Sequence, residues 1–215
     1  MPGYHKYVFD RDKRSFVGRF DEMYEAEESE GFDSWFERDL RPLRKTISQA
    51  ILNTCQFSRI LDVGYGKGTF THLMKKQNNR VVGIDVSPAA IQKAKQSFPD
   101  VEFRCMDAHD LARLGETFGL VVVMGTFAYV DGWPSVVETI ADMTRWLYVA
   151  EYIPPNPIGF VKSVDDLINA VEKQFVIRTR VLLDEVNCLL FAEVPHAGSE
   201  SSGNAAGQHD KHALE

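Results

Sequence analysis

The sequence predicts an α/β fold, a doubly wound sheet of mostly parallel strands preceded by helices. Three observations carry this. From residue 58 onward, apolar runs of strand length alternate with stretches of helical periodicity. A glycine-rich turn, Gly64 to Gly68, follows the first of those runs. The second and third runs each end near a carboxylate, Asp85 and Asp107.

The first 57 residues read as a helical annex or lid. Phe16, Phe20, Met23 and Tyr24 recur at helical spacing, so a helix is expected from about Arg11 to Glu28, closed near Gly31. The acidic run Asp21 to Glu30 is its solvated face. A second helix is expected over 33–54, with Pro42 either early in it or breaking it near Arg41. Tyr24, Trp35, Phe36 and Arg38 are the annex residues that would lie over a ligand, or their aromatics simply glue the annex to the sheet.

Residues 58–195 form the core. Strands are expected at 59–63, 81–85, 101–105, 119–124 and 146–152, and helices at about 68–77, 88–97, 132–143 and 163–173. Two last strands, 174–183 and 187–194, flank Asp184 and Glu185 as a hairpin. The tail 196–215 is rich in Gly, Ser, Ala and His and should be disordered, with His209 and His212 at most loose metal ligands.

Composition narrows the function. With 44% hydrophobic and 26% charged residues, the chain is an ordinary globular protein, not a fibrous or wholly disordered one. A net charge of −7 disfavours a partner held by many phosphates, and so nucleic acid. No run of about 18 apolar residues suits a membrane span, and the N-terminus lacks the apolar stretch of a signal peptide; a cytoplasmic protein is expected. Cys55, Cys105 and Cys188 have no metal-type spacing and read as small apolar residues. No metal site is expected.

The segment Ile60 to Phe70 is a buried strand, a glycine turn and a helix start. Glycines let a ligand approach the backbone, and the free N–H groups beyond them favour negative charge. A dinucleotide fingerprint needs a third glycine where Thr69 stands. Asp85 lies 23 residues after Asp62, the distance at which a carboxylate meets ribose hydroxyls. Asp107 could accept from an exocyclic amine, with Met106 against the ring face.

In this order, Gly64 to Gly68, Asp85 and Asp107 resemble motifs I, II and III of the class I S-adenosylmethionine-dependent methyltransferases. The resemblance covers about residues 45–194. It implies a Rossmann-like, seven-stranded sheet whose antiparallel last strand is inserted beside the fifth. It also implies S-adenosylmethionine as cofactor, with S-adenosylhomocysteine as product. By resemblance, Asp62, Gly64, Tyr65 and Gly66 would face the methionine part, Asp85 and Val86 the ribose, Met106, Asp107 and Ala108 the adenine, and Gly125 both cofactor and acceptor. Tyr65 departs from the usual Cys or Ala, and Gly119 weakens the match to the fourth motif.

The implied reaction is methyl transfer to an N or O nucleophile of a small molecule, such as a sugar derivative, with a weak resemblance to N-methyltransferases of the nodulation-sugar type. A hydroxyl acceptor benefits from a general base. Candidates are His109, Tyr129, Asp131 and Glu151. Competing readings are an NAD-dependent oxidoreductase and a non-catalytic cofactor-binding protein on the same fold. The sequence leaves the oligomeric state open.

Overall fold

A computed structural model describes residues 3–195; the expected tail, with His209 and His212, lies outside the described residues. The annex contains α1 (His5–Val8), β1 (Phe9–Asp10), β2 (Ser15–Phe16), α2 (Phe20–Glu30) and a 3₁₀ turn (Ser34–Phe36). The helix expected from Arg11 therefore starts nine residues later. In its place Phe9 pairs with Phe16 and Asp10 with Ser15 in a small hairpin. Asp10 accepts from the Lys13 N–H at 3.0 Å, and Gly18 has φ +68, so side-chain competition and a left-handed glycine break the helix.

The second expected helix is also shorter. Pro42 caps α3 (Leu43–Asn53) from outside, because its ring forbids a helical partner upstream. This helix is not part of the annex: Leu52, with Ile47 and Ile51, packs on the sheet, and the Tyr148 hydroxyl donates to Ser48 Oγ at 2.7 Å. The sheet thus recruits its first helix from residues expected in the lid.

The core continues as β3 (Arg59–Val63), α4 (Thr69–Met74), β4 (Arg80–Asp85), α5 (Pro88–Ser97), β5 (Glu102–Cys105), a 3₁₀ helix (Ala108–Leu114), β6 (Phe118–Met124), a 3₁₀ turn (Phe127–Tyr129), α6 (Trp133–Met143), β7 (Thr144–Tyr152), α7 (Val164–Glu172), β8 (Val176–Leu183) and β9 (Asn187–Glu193). The strand order is β5-β4-β3-β6-β7-β9-β8. All neighbours are parallel except those of β9, which runs antiparallel between β7 and β8. This is the expected seven-stranded, Rossmann-like sheet.

Pleating explains why the strands read as continuous apolar runs. On β6, Val121 and Val123 join a core built with α6 and α7, while Leu120 and Val122 face the layer of α3 and α4. Both faces are covered, so both must be apolar. Helix α4 stops short of its expected end because Asn79 donates to the Met74 carbonyl and accepts from the Lys76 N–H. Asp184 and Glu185 turn the last hairpin with φ +51 and +57, conformations that suit a tight turn. Cys188 is buried as expected, but Cys105 is exposed at a strand end.

The strand order reverses at β3, whose neighbours β4 and β6 lead away in opposite directions. A crevice opens beyond the carboxyl ends of such strands, where α/β sheets bind ligands.

Candidate functional site

The glycine turn sits at that point. Gly64, Gly66 and Gly68 all have positive φ, between +63 and +81. A Cβ at Gly64 would lie within 2.9 Å of three side-chain atoms of Thr126. One at Gly68 would lie 2.7 Å from Phe103 Cζ. The turn is therefore fixed by close approach as well as by backbone conformation.

Asp85 braces the turn from the next strand. Its Oδ2 accepts from the Gly66 N–H and its Oδ1 from the Ser87 N–H, both at 2.9 Å. Burial pushes its carboxyl up to about 6, against the pull of the Ser87, Gly66 and Val86 N–H groups. Beside it, Val86 exposes 48% of its surface, an apolar face at the crevice next to a carboxylate. Asp62 is buried beneath the turn and accepts from Thr71 Oγ1 at 2.7 Å. Burial pushes it up to about 7; the Thr71 bond opposes this, and the neighbouring Glu37 and Asp85 charges add to it.

The Tyr65 side chain does not face the crevice. Its ring packs 4.7 Å from that of Phe103 in a cluster with Ile91, Ala94 and Val101. Its N–H goes to the Ile84 carbonyl, and its ring is a packing group in that cluster. Met106 leans on the main core, and Ala108 opens the 3₁₀ helix that periodicity missed. Asp107 caps that helix, accepting from the His109 N–H at 2.9 Å and from its ring Nδ1 at 2.7 Å.

The four candidate bases are placed very differently. His109 Nε2 lies 2.8 Å from the Asp131 carbonyl, so both ring nitrogens are engaged. The Asp107 bond, then the Asp131 carbonyl, raises its pKa; the ring is a strap between two loops rather than a free base. Asp131 is exposed, and Gly132 rather than Asp131 caps α6. Tyr129 stands in an aromatic cluster, 5.0 Å from Trp35, 5.8 Å from Phe9 and 5.9 Å from Phe20. Burial, then the nearby Glu151 charge, raises its hydroxyl pKa.

Glu151 is fully buried at the end of β7. Its Oε1 accepts from the Thr126 and Phe127 N–H groups at 2.8 and 2.9 Å. Its Oε2 has no hydrogen-bond partner among the described residues. Burial pushes this carboxyl up to about 7, against the Phe127 N–H and the Arg44 charge. Arg44 itself is half-buried: its Nη1 lies 3.5 Å from the Ala150 carbonyl and would lie 3.7 Å from a Cβ on Gly125. Sequence reasoning missed Arg44, whose partners are about a hundred residues away.

It also missed how the annex meets the glycine turn. Lys67 Nζ donates to Glu27 Oε1 at 2.7 Å and to Asp33 Oδ1, and Lys93 Nζ to Glu27 Oε2 at 2.8 Å. Ser34 adds its N–H and hydroxyl to Glu27. Glu27 is 6% exposed, so part of the acidic run expected to face solvent is instead the annex's anchor. A lysine inside a glycine turn was the available signal, since it must find an anion once buried. Asp21 is a second anchor, accepting from Ser87 Oγ and the Ala89 N–H, both at 2.8 Å. Of the four expected lid residues, Tyr24 and Trp35 meet the turn: Trp35 Nε1 donates to the Tyr24 hydroxyl at 2.9 Å, and that hydroxyl would lie 3.0 Å from a Cβ on Gly66. Phe36 and Arg38 are exposed.

The anchor has a pH signature. Burial alone would raise Glu27, but Lys67, Lys93 and Ser34 together bring it down to about 2 from 4.5. A depressed folded pKa stabilises above the unfolded value and is lost as pH falls. The expected result is a loss on the order of 2 kcal/mol between about pH 4.5 and 2. Urea unfolding across that window checks it, and Glu27→Gln should flatten the slope.

Among the described residues no cluster of His, Cys, Asp or Glu is placed to hold a metal, and no helix is long and apolar enough to cross a membrane. The donor set suits a nucleoside with a charged tail: a carboxylate and an exposed apolar side chain at β4, a glycine turn, and an arginine across the crevice.

Residues 60–148 match the family described as a methyltransferase domain. A ubiquinone biosynthesis O-methyltransferase of Mesorhizobium japonicum is 33% identical over 120 residues, 53% of this chain and 43% of that protein. One from Brucella anthropi is 31% identical over 117 residues, 52% of this chain and 43% of that protein. The match thus spans under half the length of these relatives. Among solved structures, the N-methyltransferase NodS of Bradyrhizobium japonicum, in complex with S-adenosylhomocysteine, superposes with a TM-score of 0.65. It is 20% identical, and the superposition covers 80% of this chain and 98% of that one.

Proposed function

We propose that this chain, whose residues 60–148 match a methyltransferase domain, is a class I S-adenosylmethionine-dependent methyltransferase that methylates a small molecule at a hydroxyl oxygen. When bound, the cofactor supplies an electrophilic methyl on a sulfonium centre. Asp85 and Val86 would hold its ribose and adenine side, and the glycine turn its methionine side. Arg44 places a positive charge beside Gly125, suited to a carboxylate of cofactor or acceptor.

The single observation that favours oxygen is Glu151. One carboxylate oxygen is fixed by two backbone N–H groups, and the other has no partner among the described residues. A carboxyl near pKa 7 is matched to taking a hydroxyl proton at neutral pH. Glu151 Oε2 would take the hydroxyl proton of the acceptor as that oxygen is methylated. The ring cluster around Tyr129 and Trp35 lines the approach with apolar surface and keeps bulk water out. An amine acceptor, the second reading, is favoured only by likeness to the N-methyltransferase structure, and it needs no base once neutral.

Transfer of labelled methyl to a panel of phenolic, sugar-hydroxyl and amino-sugar acceptors tests this. Label should enter a hydroxyl acceptor. Glu151→Gln, which keeps one oxygen for the backbone bonds, should lower kcat by about 100-fold with cofactor affinity little changed. An unchanged kcat would make Glu151 a structural residue.

A further inference from the structure

Glu37 occupies the anion-binding face of the glycine turn. Its Oε2 accepts from the Lys67 N–H at 2.9 Å and its Oε1 from the Thr69 N–H at 3.0 Å. Oε2 would lie 3.1 Å from a Cβ on Gly66, on the side where the Tyr24 hydroxyl also sits. These are the outward amides of the turn, and outward amides after a glycine turn are receptors for a ligand's negative charge. The carboxylate filling them comes from a different part of the chain, 30 residues upstream, on the annex.

The segment that delivers Glu37 is under backbone strain. Trp35 and Phe36, just before it, have φ +61 and +47, left-handed conformations that bulky residues rarely adopt. They are held there by the ring contacts of Trp35 and by Lys45 Nζ, which donates to the Phe36 and Asp39 carbonyls. Glu37 has no cation within ion-pair distance among the described residues, although Lys67 is next to it in space; that lysine is spent on Glu27 and Asp33. Burial pushes the Glu37 carboxyl up to about 7 despite its two amide bonds. A carboxylate bound to two amides, poorly paired and carried on a strained segment, is built to be displaced.

We propose that Glu37 is an internal competitor for the carboxylate of the S-adenosyl ligand: the annex closes the glycine turn with its own carboxylate, and the cofactor binds by exchanging that group for the one on its methionine part. This rests on the methyltransferase reading above. It makes cofactor entry and annex opening one event, with the anchors at Glu27 and Asp21 keeping the annex attached while the 35–42 segment moves. It also separates ligands by chemistry. S-adenosylhomocysteine carries the carboxylate and must displace Glu37; 5′-methylthioadenosine has the same adenosyl thioether without the carboxylate and has no need to.

The test is calorimetric titration of the full chain with both ligands, in wild type, Glu37→Gln and Glu37→Ala. Removing the competitor should tighten S-adenosylhomocysteine by roughly tenfold or more and leave 5′-methylthioadenosine within about threefold. Should the variants fold poorly, hydrogen exchange on the wild type reads the same event. S-adenosylhomocysteine should speed exchange in residues 35–42, and 5′-methylthioadenosine should not. Weaker or unchanged S-adenosylhomocysteine binding in both variants, equal gains for both ligands, or slower exchange in 35–42 would overturn the proposal. If wild type binds S-adenosylhomocysteine and the variants gain nothing, this inference alone fails; if no form binds either ligand, the methyltransferase reading fails with it.

Discussion

Gly64→Ala should destabilise the chain by about 3–5 kcal/mol. Two costs add. At φ +74 an L side chain meets its own backbone, which costs roughly 1–2 kcal/mol. The new methyl also enters the space of Thr126, which cannot simply rotate away. Thr126 Oγ1 donates to the Val63 carbonyl at 3.0 Å, and its N–H is one of the two that hold Glu151. Moving it unseats the β3–β6 junction and the buried carboxylate together. Gly31→Ala is the matched control. It has nearly the same φ, +69, but nothing within 4 Å of its Cβ, so only the conformational part of about 1–2 kcal/mol should appear. Urea denaturation of the two variants separates the terms. Equal losses would mean that the Thr126 contact relaxes freely.

Asp85→Ala should abolish cofactor binding in practice, weakening S-adenosylhomocysteine by at least about 100-fold, while stability changes much less. The carboxylate is 9% exposed and its pKa is raised by burial, so removing it relieves a desolvation cost in the free protein. That relief offsets part of the loss of its bonds to Gly66 and Ser87. No such offset would exist for a ligand whose ribose would lose the proposed acceptor and whose glycine turn would lose its brace. Circular dichroism and calorimetry on the same sample decide between the two effects. Retained affinity in a folded variant would place the ribose elsewhere.

Much of this site was legible in the sequence because its chemistry is local. The strand ends, the glycine turn and Asp85 are marked by residues within a few positions of each other, and pleating forces buried strands to be apolar. The seven-stranded sheet with its inserted antiparallel strand was implied by the family resemblance, and the last hairpin suits it. What was not legible is long-range pairing between polar groups. Glu27 and Lys67 are far apart in sequence, and nothing local distinguishes an acid that will meet a buried lysine from one that faces water. Glu37 and Arg44 were invisible for the same reason. The direction of the Tyr65 ring was not legible either, because sequence position between two glycines does not fix it; the glycine at position 83, where a Cβ would lie 2.7 Å from the Tyr65 ring, is the companion feature that makes room for it. The early hairpin was hidden because Phe9, Phe16 and Phe20 serve a ring cluster as well as they would a helix face.

The central claim is that the crevice at the carboxyl end of β3 and β4 holds an S-adenosyl cofactor. Calorimetric titration of the wild-type chain with S-adenosylhomocysteine, with NAD alongside, tests it most directly. Saturable binding of one S-adenosylhomocysteine per chain and no response to NAD is the predicted result. Binding of NAD instead, or of neither ligand, would contradict the claim: the first would point to an oxidoreductase, the second to a fold that has kept its glycine turn without its cofactor.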